Sequence, residues 1–399
     1  MAFLHHGCRV STTCPPGHPL RFVTGIESHY LYGGLDSLRS LKEAILATQP
    51  TLIVPCDDAV VWQLHELHTR HPELQPLIER SLGAKEKYPT IRSRGVLLQA
   101  AAELGIQVPL TKTVGSEDDL AAWWTGAPAV LKLDGTCGGS GVAIVDSLPD
   151  ALIAFRKLSR PMGISFAWKR WLVNRDPIAF WSRQHQETAR ITIQEYISGR
   201  PANAMIACWQ GELLAIVSVE VLSAQGPTGA ATVARLVQNK EMEQAARRLA
   251  REFMLSGFHG LDFMLEGQTG RAYLIELNPR CTQLGHLRLQ SQGDLVGAIS
   301  TKLWKEPSSA DPKAEDLIHG DTVAFFPQTF TWSPKNPYLR SGYHDVPWEE
   351  PALLRELLRS SWPERQWLYR LYHYYRPIRR QQEVRFDSFP ADLVHTDKA

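Results

Sequence analysis

Two acidic residues and one asparagine occupy matching positions in a predicted β-hairpin in the second half of the chain. The first strand carries Asp262, and the second carries Glu276 and Asn278. Residues 266–271 between them have the composition of a turn. If that turn centres on Thr269, Asp262 faces Glu276 directly, and strand alternation places Asn278 on the same face.

Carboxylates that face each other across a hairpin repel, and a bound cation removes that repulsion. Oxygen ligands of this kind suit Mg²⁺, which takes few protein ligands and completes its shell with waters and phosphate oxygens. A magnesium site formed by Asp262, Glu276 and Asn278 is one interpretation. The other is a solvated strand face on which Arg271 or Arg280 neutralises the acids.

A lysine in a predicted strand precedes a glycine-rich turn. Lys132 lies in the apolar run 130–133, and four of the next residues up to position 141 are glycines. Backbone N–H groups of such a turn can close over phosphates. It is not a Walker A loop, because no Gly-Lys-Ser/Thr follows. An ordinary surface loop is the alternative interpretation.

A further stretch, residues 192–199, is predicted to be a strand that ends at a glycine. Its main chain could offer the donor and acceptor that an adenine edge requires. A strand with no ligand is the alternative.

The elements that must position these groups alternate along the chain. We predict a strand over 9–14, a helix over 38–47, a buried strand over Thr51–Pro55, and a helix begun by Asp57 and Asp58. Such alternation favours a parallel α/β sheet. Further strands are predicted over 130–133, 141–145, 191–197, 204–209, 213–222, 261–265 and 272–277, with helices over 93–104 and 240–254.

Taken in this order, the patterns resemble the ATP-grasp superfamily over about residues 1–305, most specifically in Asp262 followed by Glu276-Leu-Asn278-Pro-Arg280. The resemblance implies that ATP is bound by Arg94, Lys132, Gly138, Gly139, Gly141, Glu195, Tyr196 and Ile197. It implies Mg²⁺, with Mn²⁺ as a substitute, held by Asp262, Glu276 and Asn278. It also implies catalytic roles for Lys132 and Arg280 at the transferred phosphoryl group.

The fold implied by this resemblance is α/β, with an α+β nucleotide-binding part. We expect an N-terminal parallel α/β domain over 1–88, an ATP-grasp domain over 89–305 with a lid subdomain over about 126–198, and a C-terminal extension over 306–399. Residues 2–14 lack the parallel neighbour expected for their strand. We therefore expect an in-frame extension upstream of about 20 to 30 residues, the size of a βα unit.

The implied activity is ATP- and Mg²⁺-dependent joining of a small-molecule carboxylate to an amine through an acyl phosphate. The family usually has lysine where this chain has Arg94, and the usual ribose-binding acid is replaced by Ala202 and Asn203. These differences motivate an alternative, a non-catalytic or regulatory ATP-binding protein.

Two further patterns leave alternatives open. The insert around Trp168, Trp171 and Trp181 either lines a pocket for the amine or packs the lid subdomain. His259, beside the acidic strand, is interpreted as a packing residue, with a general base as the alternative.

The composition limits which partners and which cellular locations are compatible with the chain. The formal net charge of +1 argues against a nucleic-acid partner. No apolar run is long enough for a membrane span, and the first residues do not form a signal peptide. Six scattered cysteines favour a reducing cytoplasm. A homodimer is compatible with the sequence.

The C-terminal tail carries an unusual density of basic and aromatic residues. Residues 355–385 contain eight arginines and three glutamates, interleaved with tryptophans and tyrosines. A helix docked on the enzyme is the favoured interpretation. Contact with an anionic membrane surface or with nucleic acid is the alternative.

Overall fold

The computed structural model describes residues 1–135, 141–160, 163–176, 178, 180–181, 183, 190–289, 293–304, 321–332, 334–340, 342–376 and 382–386. In its N-terminal part, strands β1 (Ser11–Cys14) and β2 (Ser28–Leu31) run parallel. The helices of this part are α1 (Ala2–His5), α2 (Ser37–Thr48), α3 (Asp58–Arg70), α4 (Gln75–Leu82), α5 (Tyr88–Arg92) and α6 (Arg94–Glu103). The predicted parallel α/β arrangement of the N-terminus is confirmed.

The prediction of a strand over Thr51–Pro55 is wrong. Among the described residues this segment pairs with no strand, and the Ile53 N–H donates to Ser81 Oγ at 2.9 Å. The parallel partner of β1 is β2, which had not been predicted. Ile53 nevertheless packs against the core formed by α2, α3 and α4. The segment therefore has the apolar composition of a buried strand because it is packed against the core, although it forms no hydrogen bonds to a neighbouring strand among the described residues.

A small antiparallel sheet follows and carries Lys132. Its strands are β3 (Thr111–Val114), β4 (Ala129–Leu133), β5 (Val142–Val145) and β6 (Ile191–Glu195), in the order β3-β6-β4-β5. The helices around it are α7 (Glu117–Trp123), α8 (Leu148–Leu158) and α9 (Ile164–Leu172). Apolar residues of α7 and α8 cover one face of the sheet.

A large sheet carries the acidic hairpin and has eight strands in the part of the chain that is described. Five of its strands are β7 (Gly199–Trp209), β8 (Glu212–Ala224), β9 (Ala231–Leu236), β10 (Gly257–Glu266) and β11 (Ala272–Asn278), and β11 lies at one edge. One face packs against α6 and α10 (Lys240–Glu252). The other face packs against α11 (Leu295–Trp304), which follows the short pair β12 (Arg288–Leu289) and β13 (Gly293–Asp294).

The C-terminal region extends this large sheet. Strand β14 (Thr322–Phe325) pairs with β9, β15 (Tyr343–Asp345) pairs with β14, and β16 (Val384–Arg385) pairs with β8. The helices here are α12 (Gln328–Trp332), α13 (Pro351–Leu357), α14 (Trp362–Arg365) and α15 (Trp367–Tyr375). The domain boundaries expected at 88 and 305 stay predictions.

Part of the basic tail is docked on the protein. The buried carboxylate of Glu356 accepts hydrogen bonds from Arg365, and Gly17 lies against the ring of Trp362. Tyr374 and Tyr375 are exposed. Contact of this tail with a membrane surface stays a prediction. None of the described helices has the length and apolar character that crossing a bilayer requires.

Candidate functional site

The hairpin of β10 and β11 places Asp262 directly opposite Glu276, as predicted. The turn itself does not centre on Thr269 as expected, because Leu265 pairs with Ala272. Two positions further along the ladder from Asp262, Gly260 pairs with Asn278. Asp262, Glu276 and Asn278 therefore share one face of the large sheet. The three oxygen-bearing side chains converge as the sequence predicts, whereas their role as metal ligands stays a prediction.

A bulge in β11 sets this register. Phe263 pairs with Leu274, whereas Asp262 pairs with Glu276, so Ile275 is the extra residue. Had the ladder continued regularly from Phe263, Ile275 would stand opposite Asp262. The bulge therefore brings the second carboxylate into the site.

Asp262 is held by two amide groups. Asn203 Nδ2 donates to Oδ1 at 2.6 Å, and Asn278 Nδ2 donates to Oδ2 at 3.0 Å. Asn203 reaches this position because it pairs with Asp262 between β7 and β10. Burial, together with the charge of Glu276, raises the pKa of Asp262 above its ordinary value. The site therefore holds a carboxylate whose charge is destabilised until a cation approaches.

Glu276 is neutralised by a residue far away in the chain. Arg94 Nη2 donates to Glu276 Oε1 at 2.5 Å, and Arg94 Nη1 lies 3.4 Å from Asp134 Oδ1. Burial alone would raise the pKa of Glu276, but the charge of Arg94 holds it below the ordinary value. Burial raises the pKa of Asp134 to about 6. The cation in contact with Glu276 is thus Arg94, and neither Arg271 nor Arg280.

Lys132 brings a second buried cation to the site. Its side chain lies on β4, where Lys132 pairs with Thr192 of β6. Burial, reinforced by the nearby charge of Arg94, lowers the pKa of Lys132 to about 8. Two cations held close together in a buried position favour a bound anion.

Arg280 is joined to the N-terminal helix α3. Arg280 Nε donates to Asp58 Oδ2 at 2.8 Å. Asp57 instead caps the helix by accepting from the Ala59 N–H at 2.8 Å, which confirms its predicted role. Burial raises the pKa of Asp58 although Arg280 opposes the shift. The ion pair links α3 to the end of the acidic hairpin.

Several of these groups line an open cleft whose cavity volume is about 30 Å³. Its walls include Asp58, Trp62, Arg94, Asp134 and Glu276. The N-terminal α/β part, the small sheet and the large sheet each contribute to it. A cavity of this size holds about one to two water molecules, and it lies beside Glu276.

None of the described residues of the aromatic insert lines this cleft. Trp168 packs edge-on against Trp171 and Phe180, with ring centroids 5.5 and 5.1 Å away, and Trp181 is buried. This mutual packing favours the structural interpretation of the insert. The aromatic ring in the cleft wall belongs to Trp62, which the sequence did not single out.

A family model for the ATP-grasp domain matches residues 177–283, a range that includes strands β6 to β11 and ends just beyond Arg280. This part of the chain therefore matches an ATP-grasp domain. The match covers both carboxylates of the hairpin, so the ATP-grasp assignment and the site geometry concern the same residues.

Other proteins resemble this chain more distantly. The large chain of carbamoyl phosphate synthase from Halomonas eurihalina is 24% identical over 242 residues, which are 58% of this chain but 20% of that protein. The chain thus spans only a fifth of the length of that relative.

Solved structures share the fold at low identity. An ADP complex of N5-carboxyaminoimidazole ribonucleotide synthetase has a TM-score of 0.51 at 14% identity, covering 75% of this chain and 71% of that one. The L-amino acid ligase from Bacillus licheniformis has a TM-score of 0.51 at 14% identity, covering 76% of this chain and 71% of that one. These similarities support the ATP-grasp fold.

The segment expected to bind adenine, residues 195–197, begins at the last residue of β6. The Glu195 N–H donates to Leu110 O at 2.9 Å, and the Tyr196 N–H donates to Pro128 O at 3.3 Å. Both amides are thus used within the protein. Adenine recognition by this segment would therefore depend on carbonyl groups and on the amide of Ile197.

The glycine-rich turn is described only at its two ends. Leu133 N–H donates to Gly141 O at 2.9 Å, which closes the hairpin of β4 and β5. Gly138 and Gly139 lie outside the described residues, and so does Cys137. Their predicted contact with phosphates stays a prediction.

The donor set at the hairpin fits a magnesium ion. Asp262 and Glu276 offer carboxylate oxygens, and Asn278 offers an amide oxygen on the same face. Among the described residues no cluster of three histidine, cysteine or acidic side chains is found. Two carboxylates with one amide suit Mg²⁺, which takes few protein ligands beside substrate phosphates. Arg94 would have to share Glu276 with the ion.

Three contacts of the site were not identified from the sequence. They are the contacts of Asn203 with Asp262, of Asp58 with Arg280 and of Asp134 with Arg94. Each of these residues reaches its partner through tertiary structure, so local spacing holds no signal for it.

His259 is fully buried and its Nε2 lies 2.8 Å from Ser256 O, while burial lowers its pKa to about 4. This geometry supports its interpretation as a packing residue.

Proposed function

We propose that this ATP-grasp protein is an ATP- and Mg²⁺-dependent ligase that activates a carboxylate as an acyl phosphate and joins it to an amine. The observation that carries the proposal is the opposed pair Asp262 and Glu276, with Arg94, Lys132 and Arg280 around it. Opposed carboxylates favour a divalent cation, and the three basic residues supply the donors that phosphate oxygens require.

The reaction proceeds in two steps. A carboxylate oxygen attacks the γ-phosphorus of ATP, the bond between that phosphorus and the bridging oxygen breaks, and ADP leaves. The amine nitrogen then attacks the acyl carbon, inorganic phosphate leaves, and the nitrogen loses a proton. Such transfers depend on positioning and on neutralisation of charge. An L-amino acid ligase among proteins of similar fold is compatible with an amino acid as one substrate.

The residues of the hairpin and the small sheet have different roles in binding phosphate and Mg²⁺. Lys132 holds phosphate oxygens. Arg280 exchanges Asp58 for the transferred phosphoryl group, which it binds with two parallel hydrogen bonds. Asp262 and Glu276, together with Asn278, would hold Mg²⁺, which when bound neutralises charge on the β- and γ-phosphates.

The remaining nucleotide contacts come from two loops. Glu195, Tyr196 and Ile197 provide main-chain groups for adenine. The turn containing Gly138 and Gly139 closes over the phosphates and excludes water, because hydrolysis would destroy the acyl phosphate.

One observation favours a second candidate, a non-catalytic ATP-binding protein. Arg94 already occupies Glu276 Oε1 at 2.5 Å, at the position where the family usually has lysine. The planar guanidinium competes with a metal ion for this oxygen more strongly than the ammonium group of a lysine would. In this candidate Arg94 replaces the metal, and ATP binds without turnover.

A screen for ADP release separates the two functions. Wild-type protein is incubated with ATP and pairs from a panel of carboxylates and amines, with Mg²⁺ or with EDTA, while ATP binding is measured by calorimetry. The ligase gives Mg²⁺-dependent ADP release that requires both substrates, and mass spectrometry detects the amide. ATP binding that is equal with and without Mg²⁺, with no ADP release over the panel, overturns the ligase proposal.

A further inference from the structure

Two cysteines from distant parts of the chain meet beside Arg280. Cys56 follows the extended segment at Pro55, and Cys281 follows Arg280. The Cys281 N–H donates to Pro55 O at 2.9 Å, which brings the two cysteines next to each other. The Cys56 thiol lies 3.8 Å from Val54 O, and the Cys281 thiol lies 3.6 Å from Thr282 O. The backbone bond puts the two Cα atoms within about 7 Å of each other by standard bond lengths. Disulfides span that separation.

We propose that Cys56 and Cys281 form a reversible disulfide that holds Arg280 on Asp58 and thereby blocks the site. The ion pair of Arg280 and Asp58 is bracketed by these cysteines: Asp58 lies two residues after Cys56, and Arg280 directly precedes Cys281. The disulfide would fasten both sides of the ion pair together.

Cys56 is the thiol that reacts first. Cys56 is exposed, whereas Cys281 is half-buried. The neighbouring Cys281 thiol lowers the pKa of the Cys56 thiol below its ordinary value, and the charge of Arg280 acts in the same direction although burial opposes it. The same contact raises the pKa of Cys281, so its proton is retained. An exposed thiolate beside a protonated thiol is the arrangement of an attacking and a resolving cysteine.

The exchange uses a low-molecular-weight disulfide as the oxidant. The Cys56 thiolate attacks one sulfur of that disulfide, a mixed disulfide forms, and the first small thiol leaves. Cys281, after losing its proton, attacks Cys56 Sγ and expels the second small thiol. Two protein thiols are oxidised to one disulfide, and the small disulfide is reduced to two thiols.

The consequence for activity rests on the proposed function. In that function Arg280 must leave Asp58 and bind the transferred phosphoryl group. A disulfide between the neighbouring cysteines restrains this exchange, because the backbone next to Arg280 is tied to the segment that carries Asp58. The oxidised protein is therefore expected to bind ATP and to lose turnover.

The test uses the full chain, reduced and then incubated with oxidised glutathione. Differential alkylation followed by peptide mapping is expected to find Cys56 linked to Cys281, and the intact mass to fall by two hydrogens. Cys281→Ser should stop at a glutathione adduct on Cys56, while Cys56→Ser should not react at either position. Cys8→Ser serves as the matched control and should oxidise like the wild type.

ADP release is measured on the same samples. We expect at least a tenfold loss on oxidation of the wild type, full recovery with a reductant, and no loss in Cys56→Ser. Free Cys56 and Cys281 thiols after treatment, or linkage of Cys56 to another cysteine, overturn the disulfide. If the disulfide forms and the rate of ADP release is unchanged, the proposal that the disulfide holds Arg280 on Asp58 is wrong. A disulfide in a protein that releases no ADP even when reduced contradicts the proposed ligase function and leaves the disulfide established.

Discussion

Replacing Glu276 by glutamine tests whether Glu276 holds Mg²⁺ at the phosphates or only forms a structural ion pair with Arg94. Glu276→Gln keeps the shape of the side chain and removes one charge from between Arg94 and Asp262. If Glu276 holds Mg²⁺ at the transferred phosphoryl group, turnover should fall by at least about 100-fold, the loss typical of a removed transition-state contact. The binding of Mg²⁺ in the presence of ATP should weaken in parallel.

We expect a small change in the free energy of unfolding, because the loss of the ion pair with Arg94 is opposed by the relief of repulsion between Asp262 and Glu276. Leaving Arg94 without a buried partner costs about 3–5 kcal/mol. Relief of the repulsion between Asp262 and Glu276 returns about 3 kcal/mol at a separation of ~5 Å and an effective dielectric constant of about 20. Arg94 also keeps Asp134 at 3.4 Å. The net loss should therefore be about 0–2 kcal/mol.

The assay combines denaturant unfolding in EDTA, calorimetric titration of Mg²⁺ with a non-hydrolysable ATP analogue, and ADP release. Glu243→Gln is the matched control, because Glu243 forms an exposed ion pair with Arg247 at 2.7 Å on α10. The control should leave all three measurements unchanged. Wild-type Mg²⁺ affinity and turnover in Glu276→Gln, accompanied by a loss of 3 kcal/mol or more, would refute the reasoning and establish a structural ion pair.

Three further predictions concern the same framework. Because the pKa of Lys132 is about 8, ATP affinity measured between pH 7 and 10 should weaken about tenfold per pH unit above 8 as the ammonium loses its proton; a flat profile contradicts the role of Lys132. Asn203→Ala removes a donor from Asp262 and should weaken Mg²⁺ binding by about 10- to 100-fold in calorimetry, and unchanged affinity counts against it. Gly257→Ala should lower the free energy of unfolding by at least about 2 kcal/mol in urea, since Gly257 has φ +80° and a Cβ would lie 2.1 Å from Ser81 O; a smaller loss shows that α4 moves aside.

Local patterns in the sequence predicted four strands of the large sheet. Alternation of apolar residues indicated the strands over 204–209, 213–222, 261–265 and 272–277, but it did not indicate β9. The expected turn centred on Thr269 placed Asp262 opposite Glu276, whereas the observed pairing depends on the bulge at Ile275. These features depend on neighbours a few positions away, which a sequence displays directly. The bulge at Ile275 was not visible, because strand alternation assumes an unbroken ladder.

Only the tertiary structure decided which groups surround the carboxylates. Arg94 and Glu276 are 182 positions apart, and Asp58 and Arg280 are 222 positions apart. No periodicity relates such positions, because their contact depends on how helices α3 and α6 pack against the large sheet. The apolar run Thr51–Pro55 shows the same limit: a strand is defined by hydrogen bonds to a neighbouring strand, and composition records only that the segment is buried.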